Sequence, residues 1–160
     1  MTPGHDLTLA EKAVRSAPDM LWLDLEDGVP NDHKVSARHV IVQALQTLAW
    51  ASTERLVRIN PLDGPLGEAD LRHVLAGRPD GVVLTKIVAP AEVVLADRLL
   101  GESERATDAG RTGLWCMIET PLSMLRLEQI ATCERRFSAP QKSHREVAGG
   151  DDPQTGRIDQ

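Results

Sequence analysis

The chain has 160 residues, of which 41% are hydrophobic and 26% charged, and its formal net charge is −6 at pH 7. A chain of this length can form one domain that buries roughly two-thirds of its unfolded surface. The acidic balance, without a Lys/Arg-rich stripe and interleaved aromatic residues, argues against a nucleic-acid partner. No apolar run approaches the ~20 residues that span a bilayer, and the N-terminus lacks a signal-peptide pattern. We therefore expect a cytoplasmic protein that binds neither nucleic acid nor membrane.

Helix and strand patterns alternate through the first half of the chain. Residues 8–11 match a capping box with Thr8 as the N-cap, which predicts a helix that runs to about Ala17. A strand is predicted over 20–26, and the helix that follows carries apolar residues at helical spacing. The next strand is predicted over 55–60.

The second half continues the same alternation. Its predicted segments are a short helix over about 67–76, a strand over 81–87, a helix opened by Pro90, a polar loop over 101–113, a strand over 113–119 and a helix over 121–133. Thr120 and Pro121 form a good N-cap and N1 pair for the last helix. This order predicts parallel strands joined by right-handed crossovers. After Phe137 the apolar periodicity stops, so we expect a polar tail without fixed structure over 137–160.

Four of the apolar runs end in charged or polar residues. These are Glu26 and Asp27, Arg58 and Asn60, Lys86, and Glu119. The carboxyl ends of parallel strands meet at one edge of a sheet, and catalytic residues collect there in β/α enzymes. The pattern therefore predicts an active-site rim.

Four segments also carry a resemblance to a known family. They are DLEDGVPNDHKVSAR (24–38), VRINPLDGP (57–65), DGVVLTKI (80–87) and MIETPLSMLRLEQIA (117–131). In this order and spacing they resemble signature segments of the citrate lyase beta subunit/malyl-CoA lyase family, which belongs to the HpcH/HpaI aldolase superfamily. The resemblance implies an α/β fold of the TIM-barrel type.

A complete barrel of this type takes about 250 residues. We therefore expect a partial (β/α)8 TIM barrel of about four parallel β/α units, in a domain over residues 1–136. The family's first strand is expected to be missing, because the sequence opens at Met1-Thr2-Pro3-Gly4, and the C-terminal units are expected to be missing because 160 residues supply only about half of such a barrel. Open sheet edges favour association, so a homo-oligomer or a complex with other lyase subunits is expected.

The resemblance implies a Mg²⁺-dependent carbon–carbon lyase. Its substrate would be a hydroxy-acyl thioester of CoA or an acyl carrier, such as citryl-CoA or malyl-CoA, cleaved into a keto acid or related acid and acyl-CoA. Glu119 matches the metal-binding glutamate, which also contacts substrate, and Arg58 matches the arginine that holds the substrate carboxylate. Glu26 and Asp27 match a catalytic acidic pair that would orient water and the arginine. Asp152 is the candidate for the second metal carboxylate.

Other interpretations stay open for these residues. Glu119 could serve only the dipole of the helix that follows it, and Arg58 could be an ion-pair partner of the acidic pair. Asp24 is expected to be structural, and Lys86 electrostatic or structural rather than nucleophilic. Asp27 could be a solvated acid at the edge of the loop or a support for the site, and Asp152 could be a solvated acid of the tail. For the whole chain, the alternatives are an inactive half-barrel or accessory subunit, and a metal-dependent aldolase that cleaves 2-keto-3-deoxy acids without CoA.

Overall fold

The computed structural model describes residues 1–107 and 110–133 and contains one parallel sheet flanked by helices. The strands are β1 (Thr2–Pro3), β2 (Met20–Asp24), β3 (Glu54–Arg58), β4 (Gly81–Leu84) and β5 (Gly113–Cys116). The helices are α1 (Leu7–Arg15), α2 (Lys34–Thr47), α3 (Gly67–Val74), α4 (Pro90–Thr107), α5 (Pro121–Leu125) and α6 (Leu127–Thr132). Single 3-10 turns precede α2 at Asn31–His33 and follow α3 at Leu75–Gly77.

Every strand pairs in parallel with the strand that follows it in sequence, so the sheet order is β1-β2-β3-β4-β5. Each crossover between neighbouring parallel strands carries a helix, and right-handed crossovers in a constant direction bring the helices to one face of the sheet. This is the strand order of a barrel wall rather than of a doubly wound sheet, which reverses at a switch point. The predicted class, a parallel α/β segment of a barrel, is confirmed.

The helix-facing side of the sheet forms the hydrophobic core. Leu23 of β2 and Val57 of β3 are fully buried there and belong to the same apolar cluster as Ile41 of α2, Leu71 of α3 and Leu99 of α4. Because side chains alternate along a strand, the residues between these apolar ones face the opposite side. Burial of one such Leu or Ile contributes roughly 1.5–3 kcal/mol, so this cluster provides the main stabilisation of the segment.

The register of the sheet determines which residues lie side by side on the face that points away from the helices. Asp24 is paired with Arg58, Arg58 with Val83, and Val83 with Trp115, so these four residues form one row across β2 to β5. Below this row, Gly81 leaves space for its neighbours, because a Cβ added there would lie 2.7 Å from Leu56 Cδ2 and 3.1 Å from Trp115 Nε1. The row therefore brings an acid, a base and an indole to the same side of the sheet.

Two features of the N-terminal segment differ from the sequence predictions. A two-residue strand, Thr2–Pro3, lies where the sequence predicted no strand, and it pairs with Leu23 and Asp24 of β2. The N-cap of α1 is Asp6 rather than Thr8, since Asp6 Oδ1 accepts hydrogen bonds from the amide N–H groups of Thr8 and Leu9 at 2.9 and 3.1 Å. An aspartate cap also places negative charge at the helix N-terminus, where the helix dipole favours it.

Two further differences concern helix ends. The predicted loop over 101–113 is wrong in its first half, because α4 continues to Thr107. Its polar composition reflects exposed helical turns, and Arg98 and Glu102 lie four residues apart with Nε and Oε1 at 4.0 Å. The predicted helix over 121–133 divides at Arg126, although the predicted cap is confirmed: Thr120 Oγ1 accepts from the amide of Ser123 at 3.0 Å.

The expected tail over 137–160, and with it the domain boundary at residue 136, lies outside the described residues. Among the helices in the described part of the chain, none is long and apolar enough to cross a membrane.

Candidate functional site

The carboxyl edge of the sheet is built around one ion pair. Arg58 at the end of β3 donates two parallel hydrogen bonds to Asp24 at the end of β2, with Nε–Oδ1 at 2.7 Å and Nη2–Oδ2 at 2.6 Å. Both residues are buried, Asp24 with 1% of its surface exposed and Arg58 with 6%. Asp24 also accepts from the amides of Glu26 and Gly28, each at 2.8 Å. Bidentate, charge-assisted pairs of this kind are short and strongly oriented, so the Arg58 guanidinium is fixed in place.

Glu26 adds a second carboxylate to this pair. Its side chain is buried, Oε2 lies 3.3 Å from Arg58 Nη1, and Oε1 contacts Lys86 Nζ. Oε2 is buried and accepts no hydrogen bond in the described structure. A buried oxygen beside a cation but without a hydrogen bond is unusual in proteins and is available to a ligand or a proton.

Lys86 connects the ends of three strands. Its Nζ contacts Glu26 and lies 3.3 Å from Asp27 Oδ1, while its amide N–H donates to Glu119 Oε1 at 2.8 Å. Its backbone is left-handed, with φ at 51°, a conformation that costs a non-glycine residue about 1–3 kcal/mol and that clusters at functional sites. The hydrogen bond to Glu26 raises the pKa of Lys86, which therefore stays an ammonium group at neutral pH.

The described residues include one candidate ligand for Mg²⁺. Glu119 is exposed at the rim, and a carboxylate oxygen is the hard ligand that Mg²⁺ prefers. Within residues 1–107 and 110–133, no three His, Cys, Asp or Glu side chains form a group that could hold a metal ion. Asp152, the predicted second carboxylate, lies outside the described residues. Glu119 thus fits a metal that takes its other ligands from water, substrate or further residues.

The structure brings most of the predicted residues together. Glu26, Asp27 and Arg58 are linked through shared contacts, and Glu119 joins them through the backbone of Lys86. The sequence interpretation expected Asp24 to be structural but did not name it as a partner of Arg58, and in the structure it is the bidentate partner of that arginine. The alternation of β2 had already placed it on the same face as Glu26, but the partner on β3 depends on the register of the sheet.

The Asp24 carboxylate makes the stability of this edge pH-dependent. Burial raises the pKa of Asp24, but the hydrogen bonds from Arg58 and from the amides of Glu26 and Gly28 outweigh it and hold the pKa below its ordinary value of 3.8. A carboxylate with a depressed pKa stabilises the folded state above its ordinary pKa and loses that contribution as the pH falls through the folded-state value.

We therefore expect the free energy of unfolding to decline between about pH 5 and about pH 2, with a smaller decline in Asp24→Asn. Urea titrations of both proteins across this range measure the difference. Equal pH slopes in the two proteins would contradict the assignment.

The fold and the rim define a class: the wall of a (β/α) barrel with a cluster of acids and bases at its carboxyl edge. The family model HpcH/HpaI aldolase/citrate lyase matches residues 2–139, and the chain belongs to this family.

Two curated relatives illustrate the match. The chain is 34% identical over 137 residues to the citrate lyase subunit beta of Haemophilus influenzae, covering 84% of this chain and 47% of that protein. It is 38% identical over 143 residues to an L-malyl-CoA/beta-methylmalyl-CoA lyase of Cereibacter sphaeroides, covering 86% and 44%. The chain therefore spans less than half the length of these relatives.

A solved structure supports the fold. The citrate lyase beta subunit of M. tuberculosis, complexed with oxaloacetate and magnesium, aligns with a TM-score of 0.62 at 24% identity. The alignment covers 82% of this chain and 51% of that one. At this level of identity the likeness concerns the parallel β/α architecture.

Proposed function

We propose that this chain carries the acid-binding part of a Mg²⁺-dependent carbon–carbon lyase site that cleaves a hydroxy-acyl thioester of the malyl-CoA or citryl-CoA type. The single observation that carries the proposal is the cluster at the carboxyl edge, where Arg58 is held by Asp24 and faces the open Oε2 of Glu26. Family membership and the two curated lyases support the reaction class.

Arg58 has donors left for a substrate carboxylate. A guanidinium group has five N–H donors, and Asp24 takes the Nε–H and one Nη2–H. The remaining edge is turned towards Glu26, whose Oε2 makes only a 3.3 Å ion-pair contact with Nη1. A substrate carboxylate that binds this edge would displace a loose contact rather than the bidentate pair.

Glu26, Asp27 and Lys86 supply the proton and charge handling. Cleavage beside a thioester requires removal of the proton from the substrate hydroxyl, and negative charge then develops on the enolate oxygen of the acyl-CoA product. The open Oε2 of Glu26 can accept or orient a proton, with Asp27 beside it. The Lys86 ammonium is the neighbouring cation that can stabilise developing negative charge.

Glu119 is the proposed metal ligand, with Asp152 as the second carboxylate predicted by the family pattern. When bound, Mg²⁺ would polarise the carbonyl oxygen of a keto acid and orient it as a Lewis acid and template. The amide of Lys86 fixes one Glu119 oxygen at 2.8 Å, so the carboxylate is oriented before any ligand arrives. The oxaloacetate and magnesium bound by the M. tuberculosis relative support this pairing of acid and metal.

The test is an assay of malyl-CoA and citryl-CoA cleavage with and without millimolar Mg²⁺. Cleavage is measured as the release of acetyl-CoA. We expect Mg²⁺-dependent cleavage that is lost in Arg58→Lys, because lysine cannot reproduce the fork geometry. Arg55→Lys is the matched control: Arg55 lies on the same strand and makes a bidentate pair with Asp80 at the opposite edge of the sheet. Equal loss of activity in both variants would contradict the proposal.

A metal-dependent aldolase acting on 2-keto-3-deoxy acids is the alternative within the same assay. It would cleave such an acid without CoA and leave both thioesters intact. That result would contradict a thioester substrate and favour a 2-keto-3-deoxy acid in its place.

A second candidate function is that of a non-catalytic accessory subunit. It is favoured by four large apolar side chains that are exposed along α5 and α6, namely Leu122, Met124, Leu125 and Leu127. An apolar surface of this kind commonly marks a protein–protein contact. Absence of cleavage by the isolated chain, with activity gained by a full-length relative on mixing, would favour this candidate.

A further inference from the structure

Lys34 is a buried cation that the proposed reaction does not use. It is the first residue of α2, only 7% of its surface is exposed, and its Nζ donates to the backbone carbonyls of Leu25 and Glu26. The distance to the Leu25 oxygen is 2.8 Å. The lysine thus reaches back from the helix to the turn that follows β2 and carries the two catalytic acids.

Lys34 does not stabilise the helix in which it lies. A cation in the first turn lies at the positive end of the helix dipole, where it is unfavourable. Burial of an ammonium group is also costly unless hydrogen bonds replace its water. The two carbonyl oxygens of the β2 turn provide this replacement, so the lysine and the turn hold each other in place.

A second side chain donates to the same carbonyl oxygen. Asn60 Nδ2 donates to the Leu25 oxygen at 3.0 Å, and Asn60 is itself fixed by Asp70, whose Oδ2 accepts from Nδ2 at 2.6 Å. Asp70 is fully buried and also accepts from Arg38 Nε at 2.6 Å. Lys34 and Arg38 lie one helical turn apart on α2, so one helix supports the turn through two routes.

The three acids of the β2 turn are matched by three cations that surround the turn. Asp24, Glu26 and Asp27 bring three carboxylates to the turn, and Arg58 and Lys86 bring two cations. Lys34, whose Nζ donates to the Glu26 carbonyl oxygen, supplies a third. Its removal would leave excess negative charge around the buried Glu26 carboxylate.

We propose that Lys34 is a positioning residue of the lyase site: it fixes the turn after β2 so that the Glu26 carboxylate stands between Arg58 and Lys86. The inference rests on the proposed function for its catalytic meaning. The geometric part concerns Glu26 alone and can be tested without turnover.

The experiment compares the wild type with Lys34→Met, Lys34→Gln, Lys34→Arg and the control Lys12→Met, a substitution of an exposed lysine on α1. NMR spectra of protein with labelled glutamate report the side-chain carboxyl carbon of Glu26. Hydrogen exchange reports the amides of Glu26, Gly28 and Val29, which are bonded within this turn.

In Lys34→Met we expect the Glu26 carboxyl resonance to move towards that of exposed glutamates. The three turn amides should exchange at least about tenfold faster relative to the sheet amide of Ile59, which is bonded to Val83. Lys34→Arg should restore most of the wild-type signal, and Lys12→Met should leave it unchanged. If Lys34→Met does not fold, Lys34→Gln, which keeps a shorter neutral donor, should show an intermediate change.

An unmoved Glu26 resonance together with an even rise of exchange throughout the sheet would overturn the proposal, because it would show only a stability role for Lys34. With an active wild type, we further expect kcat in Lys34→Arg to exceed kcat in Lys34→Met, with the latter reduced by roughly 10–100-fold at similar KM. A wild type that cleaves no thioester would count against the proposed function, while the NMR comparison would still decide the role of Lys34.

Discussion

Replacement of Arg58 by alanine is expected to lower the free energy of unfolding by about 3–5 kcal/mol, because it strands a buried carboxylate. Asp24 is 1% exposed and would lose both side-chain hydrogen bonds that its oxygens accept from Arg58. The two amide hydrogen bonds from Glu26 and Gly28 would remain but cannot neutralise the charge. Glu26, also buried, would lose its nearest guanidinium as well.

Arg55→Ala provides the matched control for this prediction. Arg55 makes the same bidentate contact with Asp80, but the Asp80 side chain is 39% exposed, so water can replace the lost partner. Urea denaturation of both variants measures the difference at equal m-value. If Arg58→Ala lowers the free energy of unfolding no more than Arg55→Ala does, burial of Asp24 adds nothing to the cost of losing its arginine partner, and the prediction is wrong.

Replacement of Glu119 by glutamine is expected to abolish the stabilisation that Mg²⁺ gives to the wild type. A ligand that binds only the folded state stabilises it by about 2.7 kcal/mol at a concentration of 100 times its Kd. The Glu119 carboxylate is the exposed acid that Lys86 orients at the rim, and an amide oxygen is a much weaker ligand for a hard cation. The shift of Tm with added Mg²⁺ measures this effect.

Glu128→Gln is the control for the metal prediction, since Glu128 is an exposed acid on the neighbouring helix α6. It removes the same charge from the same region and should keep the full Mg²⁺ response. If both variants lose the response equally, it arises from general charge screening. If neither loses it, the metal binds elsewhere.

The sequence was informative about the rim because two simple rules apply there. Apolar strands that end in charged residues place those residues at one edge when the strands are parallel. Glu26, Arg58, Lys86 and Glu119 are brought together on this basis, each at or just beyond the carboxyl end of its strand. The family resemblance added roles for these residues but was not needed to predict that they meet.

These rules could not predict contacts that depend on the register of the strands or on the reach of long side chains. The pairing of Asp24 with Arg58 requires the alignment of β2 with β3, which a single sequence does not determine. The reach of Lys34 to the Leu25 carbonyl depends on how α2 packs behind the turn. The end of α4 was mistaken for a loop because a polar surface helix and a polar loop have similar composition.

The most direct test of the account is a calorimetric titration of the wild-type chain with oxaloacetate, in the presence and in the absence of millimolar Mg²⁺. If Arg58 clamps a carboxylate and Glu119 holds the metal beside it, the acid should bind with Mg²⁺ and lose most of its affinity without it. Arg58→Lys should then bind poorly in both conditions. Binding that is indifferent to Mg²⁺, or that survives Arg58→Lys unchanged, would contradict a metal-dependent lyase site at this edge of the sheet.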